Sequence, residues 1–157
     1  MSTVKPLLNP EVRPMKEADL DRVSSIERAS FSTPWSRSTF RNLLFRRDAD
    51  LWVATLDDSV AGYAVVWFLA EGAELGNLAV MGEWRRHGLG RRLLDQAIER
   101  ARHRGASRIF LEVRTSNREA QSLYERRGFV MSGVKRRYYR APLEDARVMS
   151  LGLTEPV

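Results

Sequence analysis

Between Glu74 and Val113 the hydrophobic period changes twice, and that order restricts the possible folds more than any other feature of the chain. ELGNLAV (74–80) alternates as a short strand, and Gly76 marks a bulge within it. MGEWRRHGLG (81–90) is a loop that ends in two glycines. From Leu89 onward Leu93, Leu94, Ala97, Ile98 and Ala101 fall on one helical face, with Arg92, Gln96, Glu99 and Arg102 outside it. Gly105 suits the position just past the helix end. RIFLEV (108–113) is a strand again. A strand–helix–strand unit implies parallel neighbours joined by a right-handed crossover.

The flanking segments extend this unit into one sheet. A short extended start lies around Val12. Leu20, Val23 and Ile26 are spaced as a helix face, and STPW breaks that helix. Ser36 caps a second helix carrying Phe40, Leu43 and Leu44 on one side. LWVATL and VAGYAVVWFL, joined by Asp57-Asp58-Ser59, read as an antiparallel hairpin. NREAQSLYERRG reads as a helix with Asn117 as its cap and Gly128 as its terminator. FVMSGVKRRYY and ARVMSLGL close the chain as two more strands. The expectation is a single α/β domain over residues 1–157, with one mixed sheet and helices on both faces.

Composition narrows the chemistry. The 157 residues contain no cysteine, which excludes disulfides, thiolate nucleophiles and Cys-based zinc sites. The two histidines, His87 and His103, lack the spacing of a helical metal pair, so no metal is expected. The formal net charge of +6 attracts anionic partners without naming them. MSTVKPLLNPEVRP has no uninterrupted apolar core and is not read as a signal peptide. The uncharged stretch Val60 to Ala70 falls short of the ~20 residues that a membrane helix needs. A cytoplasmic protein with no membrane partner is expected.

Arg85 to Leu94, RRHGLGRRLL, sets four arginines around two glycines. It matches neither the dinucleotide fingerprint, since Leu93 stands at the third glycine position, nor the Walker pattern. A helix start still offers unpaired amides and partial positive charge, and Arg85, Arg86 and Arg91 add formal charge. Gly88 and Gly90 open the backbone to an anion, so the loop can hold a pyrophosphate. A tight turn with solvated arginines is the plainer alternative.

A second feature lies downstream. Alternation along RIFLEV puts Ile109, Leu111 and Val113 on one face and Phe110 and Glu112 on the other. A carboxylate in such a strand is costly unless paired or used. Tyr124 lies in the next helix, which returns over the same end of the sheet. Glu112 and Tyr124 together make a candidate acid–base pair beside the loop. Taken singly, Glu112 also reads as an ion pair with an arginine, and Tyr124 as a core aromatic with a wet hydroxyl.

These residues resemble the GCN5-related N-acetyltransferases (GNAT). The family pattern Arg/Gln-x-x-Gly-x-Gly/Ala matches Arg85 to Gly90, between the strand LGNLAV and the block LEVRTSNREAQSLYERRGF. That block, with FSTPWS and RRYY, is most similar to the bacterial subfamily that acetylates the N-terminal alanine of ribosomal proteins. Gly76 departs from the pattern, where a bulkier apolar residue is expected. The resemblance implies a central mixed, mostly antiparallel sheet whose two parallel strands splay to admit coenzyme A. It implies that Leu78, Ala79 and Val80 line the pantetheine arm of acetyl-CoA, with the Val80 amide near the thioester carbonyl. It implies that the amides of Arg86, His87, Gly88, Leu89, Gly90 and Arg91 wrap the pyrophosphate, and that Asn117 lies near the reactive end. Glu112 would be the general base and Tyr124 the general acid.

The acceptor implied is a protein N-terminus, that of a small-subunit ribosomal protein. Trp35, Tyr138 and Tyr139 are candidates to grip it, or ordinary aromatic packing at a strand end. Two alternatives stay open. One is an acetyltransferase acting on a small-molecule amine or a lysine side chain. The other is a non-catalytic basic module for nucleic acid, which the lack of an aromatic–basic RNA motif weighs against.

Overall fold

The computed structural model describes residues 9–70 and 72–153; residues 1–8, where the segment read as no signal peptide begins, lie outside them. Strand β1 (Pro10–Pro14) leads through a short 3-10 turn into helices α1 (Leu20–Ser30) and α2 (Arg37–Leu44). Strands β2 (Ala49–Leu56), β3 (Ser59–Leu69) and β4 (Gly72–Val80) follow, then helix α3 (Leu89–His103). Strand β5 (Arg108–Arg114), helix α4 (Arg118–Arg126) and strands β6 (Val130–Arg140) and β7 (Leu143–Gly152) complete the chain.

Local chemistry accounts for the boundaries. Ser36 Oγ accepts the Thr39 amide at 3.2 Å and starts α2, and Asn117 Oδ1 accepts the Ala120 amide at 3.1 Å and starts α4. Asp57 and Asp58 take φ of 48° and 70°, the conformation that joins β2 to β3 through a two-residue turn.

The seven strands form one sheet in the order β1-β2-β3-β4-β5-β7-β6. Every neighbouring pair is antiparallel except β4 and β5. Helices cover both faces, as expected. On one face the α3 stripe of Leu89, Leu93, Leu94, Ala97, Ile98 and Ala101 packs on Ala64, Val66, Leu75, Ile109 and Leu111. On the other, Leu20, Val23 and Ile26 of α1 and Phe40 of α2 pack on Val53, Tyr63 and Val65. Each fully buried leucine contributes about 1.5–3 kcal/mol.

The parallel pair determines where a site can lie. β4 and β5 are bonded only over Ala73–Ile109, Glu74–Phe110 and Leu75–Leu111. Beyond Leu75 and Leu111 the strands part and leave a gap in the sheet. Gly76 stands at the start of that gap as the extra residue of a bulge, because Val65 pairs with Asn77 and Val66 with Leu75.

Candidate active site

Two cavities meet at this gap. The first, of about 470 Å³, is lined by Leu78, Ala79 and Val80 of β4, by Trp84 to Arg86 and Gly88 to Arg91 of the loop and helix start, and by α4. The second, of about 680 Å³, is lined on one side by Trp35, Trp67, Glu74 and Gly76, and on the other by Glu112, Tyr138 and Tyr139. Leu78, Asn117, Ala120 and Tyr124 line both. The cavities therefore communicate between the splayed strands.

The first cavity is built for an anion at one end. Arg92 is the first residue of α3 to close a helical turn, onto the Gly88 carbonyl at 3.1 Å. The amides of Leu89, Gly90 and Arg91 precede it and have no intrahelical partner. Arg85, Arg86, Arg91 and Arg126 line the same cavity and add positive charge. The two glycines act differently from each other. A Cβ at Gly88 would meet nothing within 4 Å, but its φ of 78° favours glycine. A Cβ at Gly90 would project toward Leu123, Leu78 and Val80 and narrow the cavity. Both glycines line this cavity.

At the gap the backbone of β4 is itself a donor. The Met81 amide turns toward β3, bonding Ala61 O at 2.8 Å. Alternation then directs the Leu78 and Val80 amides away from β3, into the space where β5 no longer pairs. Arg85 Nε donates to Val80 O at 3.3 Å and holds this strand end in place.

Glu112 and Tyr124 approach from different elements. Glu112 points from β5 onto the α1 and α2 face, its side chain only 11% exposed, and its carboxylate pairs with Lys135 of β6. The ion pair expected with an arginine is made with this lysine instead. Tyr124 is 7% exposed and packs against Phe129 with ring centroids 5.8 Å apart. Burial pushes its phenol above the ordinary value, with the nearby Tyr139 adding to the shift. Tyr124 therefore stays protonated at neutral pH.

The remaining expected residues are distributed as follows. Asn117, the α4 cap, lines both cavities, and the loop before it is held by side chains of α4 and β7. Gln121 Nε2 donates to Arg114 O and Thr115 O at 2.9 and 3.0 Å, and Glu144 accepts the Ser116 amide at 2.5 Å. Hydrogen bonds from Ser116, with help from Thr115 and Arg114, hold the Glu144 carboxyl down at about 2. Tyr138 and Tyr139 stand edge to face at 5.1 Å in the second cavity. Burial, followed by the charge of Glu112, pushes the Tyr139 phenol up to about 12. Trp35 lines that cavity and also packs on Phe40 and Trp67. His87 is the exception. Its side chain is exposed, stands edge-on to Trp84 at 5.7 Å, and does not line the first cavity.

Sequence reading passed over three carboxylate and aromatic groups of the second cavity. Glu27 is buried and accepts from Tyr63 Oη, from Asn77 Nδ2 at 2.9 Å and from the Trp35 amide at 2.8 Å. Its signal was present, since it lies seven residues after Leu20 on the apolar stripe of α1. Glu74 is held by Trp67 Nε1 at 3.1 Å, and its carboxyl is pushed up by burial despite that bond. Neither Glu74 nor Trp67 stands out from the alternation of its strand.

A sheet split between two parallel strands, with a helix start and arginines on one side, defines a class. The chain belongs to the acetyltransferase (GNAT) family, whose model matches residues 20–129. More particularly, it is 36% identical over 142 residues to the Salmonella typhimurium ribosomal protein bS18-alanine N-acetyltransferase, covering 89% of this chain and 95% of the relative. The Escherichia coli protein of that name is 34% identical over 142 residues, with the same coverage. The crystal structure of the Escherichia coli ribosomal-protein-S18-alanine N-acetyltransferase superposes with a TM-score of 0.85 at 31% identity, covering 95% of this chain and 97% of that one. Arabidopsis thaliana NAA60 in complex with acetyl-CoA shares the fold, with a TM-score of 0.83 at 18% identity over 92% of this chain and 99% of that one. Among the described residues no helix is long and apolar enough to cross a membrane, and no cluster of His, Asp and Glu could hold a metal.

Proposed function

We propose that residues 1–157 act as one acetyltransferase domain that transfers acetyl from acetyl-CoA to a protein N-terminal amine. The acceptor proposed is the N-terminal alanine of a small-subunit ribosomal protein, met in the cytoplasm. The observation that carries this reading is the pair of cavities meeting where β4 and β5 part, with Tyr124 lining both and Glu112 lining the second. The first fits a phosphorylated arm, through three free amides and four arginines. The second, with its aromatic walls and carboxylates, fits a positively charged peptide end. The resemblance of the chain to the two bS18-alanine acetyltransferases supports the choice of acceptor.

Acetyl-CoA supplies the acyl group and a thiolate that departs. Leu78, Ala79 and Val80 would flank its pantetheine arm, and the backbone from Arg86 to Arg91 its pyrophosphate. An α-amine has a pKa near 8 and is largely protonated at neutral pH. Glu112, directly or through water, accepts that proton and frees the nitrogen lone pair. As the new C–N bond forms, the Val80 amide donates to the carbonyl oxygen, where negative charge grows. As the C–S bond breaks, Tyr124 gives its proton to the departing sulfur; the second proton of the attacking nitrogen passes through water to the phenolate, and Glu112 releases its own to solvent. Asn117 lines both cavities and borders the reacting atoms. Trp35, Tyr138 and Tyr139 hold the peptide end.

The test is a pool of small-subunit ribosomal proteins lacking N-terminal acetylation, incubated with the enzyme and labelled acetyl-CoA. Label confined to one protein, on an N-terminal alanine, is expected. Label spread over lysine side chains would overturn the choice of acceptor.

A further inference from the structure

The second cavity carries a departure from the family pattern that has a structural counterpart. Gly76 follows the last paired residue of β4, as Glu112 follows the last paired residue of β5. The two therefore face each other across the start of the gap. A Cβ added at Gly76 would lie 2.8 Å from the Trp67 ring, with two further ring atoms at 3.1 Å. The indole of Trp67, on the neighbouring strand β3, thus fills the volume that a β4 side chain would take.

That indole is held firmly. Its Nε1 donates to Glu74 at 3.1 Å, and Trp35 stacks on it at 5.4 Å with the ring planes 25° apart. Trp67 is only partly buried, and it lines the second cavity together with Glu112. A rigid indole lining the same cavity as the base leaves little depth for a side chain on the carbon bearing the reacting amine. We infer that Trp67, seated over Gly76, is the residue that limits the size of the acceptor's first side chain. The inference rests on the reading of this cavity as the acceptor's.

The test compares the parent enzyme with Trp67→Ala, Trp67→Phe and Gly76→Ala on four peptides that differ only in their first residue: Ala, Ser, Leu or Met. The readout is the ratio of kcat/KM for each peptide to that for Ala, since a purely structural role lowers all four together. Trp67→Ala is expected to raise the Leu and Met ratios about tenfold, with Trp67→Phe between it and the parent. Gly76→Ala, which must push the indole toward the cavity, is expected to lower the Ser ratio. Ratios within about twofold of the parent in both Trp67 variants, with the Ala peptide still turned over, overturn the inference alone. If Trp67→Ala fails to fold, Trp67→Phe decides by the same criterion. A parent enzyme that acetylates none of the four N-termini removes the reading of the cavity, and the inference with it.

Discussion

Glu112 of β5 and Lys135 of β6 form an ion pair at the point where β5 leaves its parallel partner. The carboxylate is nearly enclosed while the ammonium is half exposed, so the lysine is the partner that can move away. An incoming α-ammonium is chemically equivalent to the lysine head group. In this account it takes the place of Lys135 and then gives its proton to the same carboxylate.

Glu112→Gln keeps the size of the side chain and removes its basicity. Turnover is expected to fall by about a hundredfold or more, with acetyl-CoA affinity by calorimetry changed little, because the first cavity is intact. An active Glu112→Gln enzyme would assign the base elsewhere.

Tyr124→Phe keeps the packing on Phe129 and removes only the hydroxyl. A drop in kcat of at least about tenfold is expected, without loss of thermal stability. Burial raises the Tyr124 phenol, so parent turnover should not decline between about pH 7 and 9 through loss of this proton. A pH profile of kcat for the two enzymes checks both statements.

Gly88→Ala places a Cβ on a residue with φ of 78°. The strain is about 1–2 kcal/mol, and relieving it reorients the amides that follow. The Kd for acetyl-CoA is expected to rise roughly three- to tenfold by calorimetry. Steady-state data at saturating acetyl-CoA should show kcat nearly unchanged.

Glu144 links stability to pH. Its folded pKa of about 2 lies below the ordinary carboxylate value, so between the two the unfolded chain binds the extra proton. Stability from this group is complete above about pH 4.5 and is lost as the pH falls toward 2. Urea melts at pH 7 and pH 3 should show a loss that is smaller in Glu144→Gln, because the glutamine is already without the charge, while Asp19 and Asp48, also held below the ordinary value by arginines, keep their share.

Much of the fold was legible because local chemistry and tertiary packing agree. The α3 stripe, the caps Ser36 and Asn117, the glycines at 105 and 128 and the bulge at Gly76 all follow from period, side-chain oxygen or positive φ. The site was legible where it is made of backbone and of single out-of-place residues such as Glu112. What escaped depends on contacts between strands distant in sequence. Lys135 lies on an exposed edge strand where one more cation carries no signal, yet pairing of β6 through β7 brings it to Glu112. Trp67 reads as one more apolar residue of a buried strand until the register sets it against Gly76. His87 lies inside the glycine motif, but the turn at Arg86, with φ of 67°, precedes it and its ring faces Trp84 rather than the cavity.

The central claim is that acetyl goes to an α-amine at the junction of the two cavities. A synthetic peptide with a free N-terminal alanine and one internal lysine, incubated with acetyl-CoA and enzyme, tests it by tandem mass spectrometry. One acetyl group on the alanine nitrogen, one free thiol released per acetyl, and no reaction of the N-blocked peptide are the results expected. Acetyl on the lysine, or equal modification of the blocked peptide, would contradict the account.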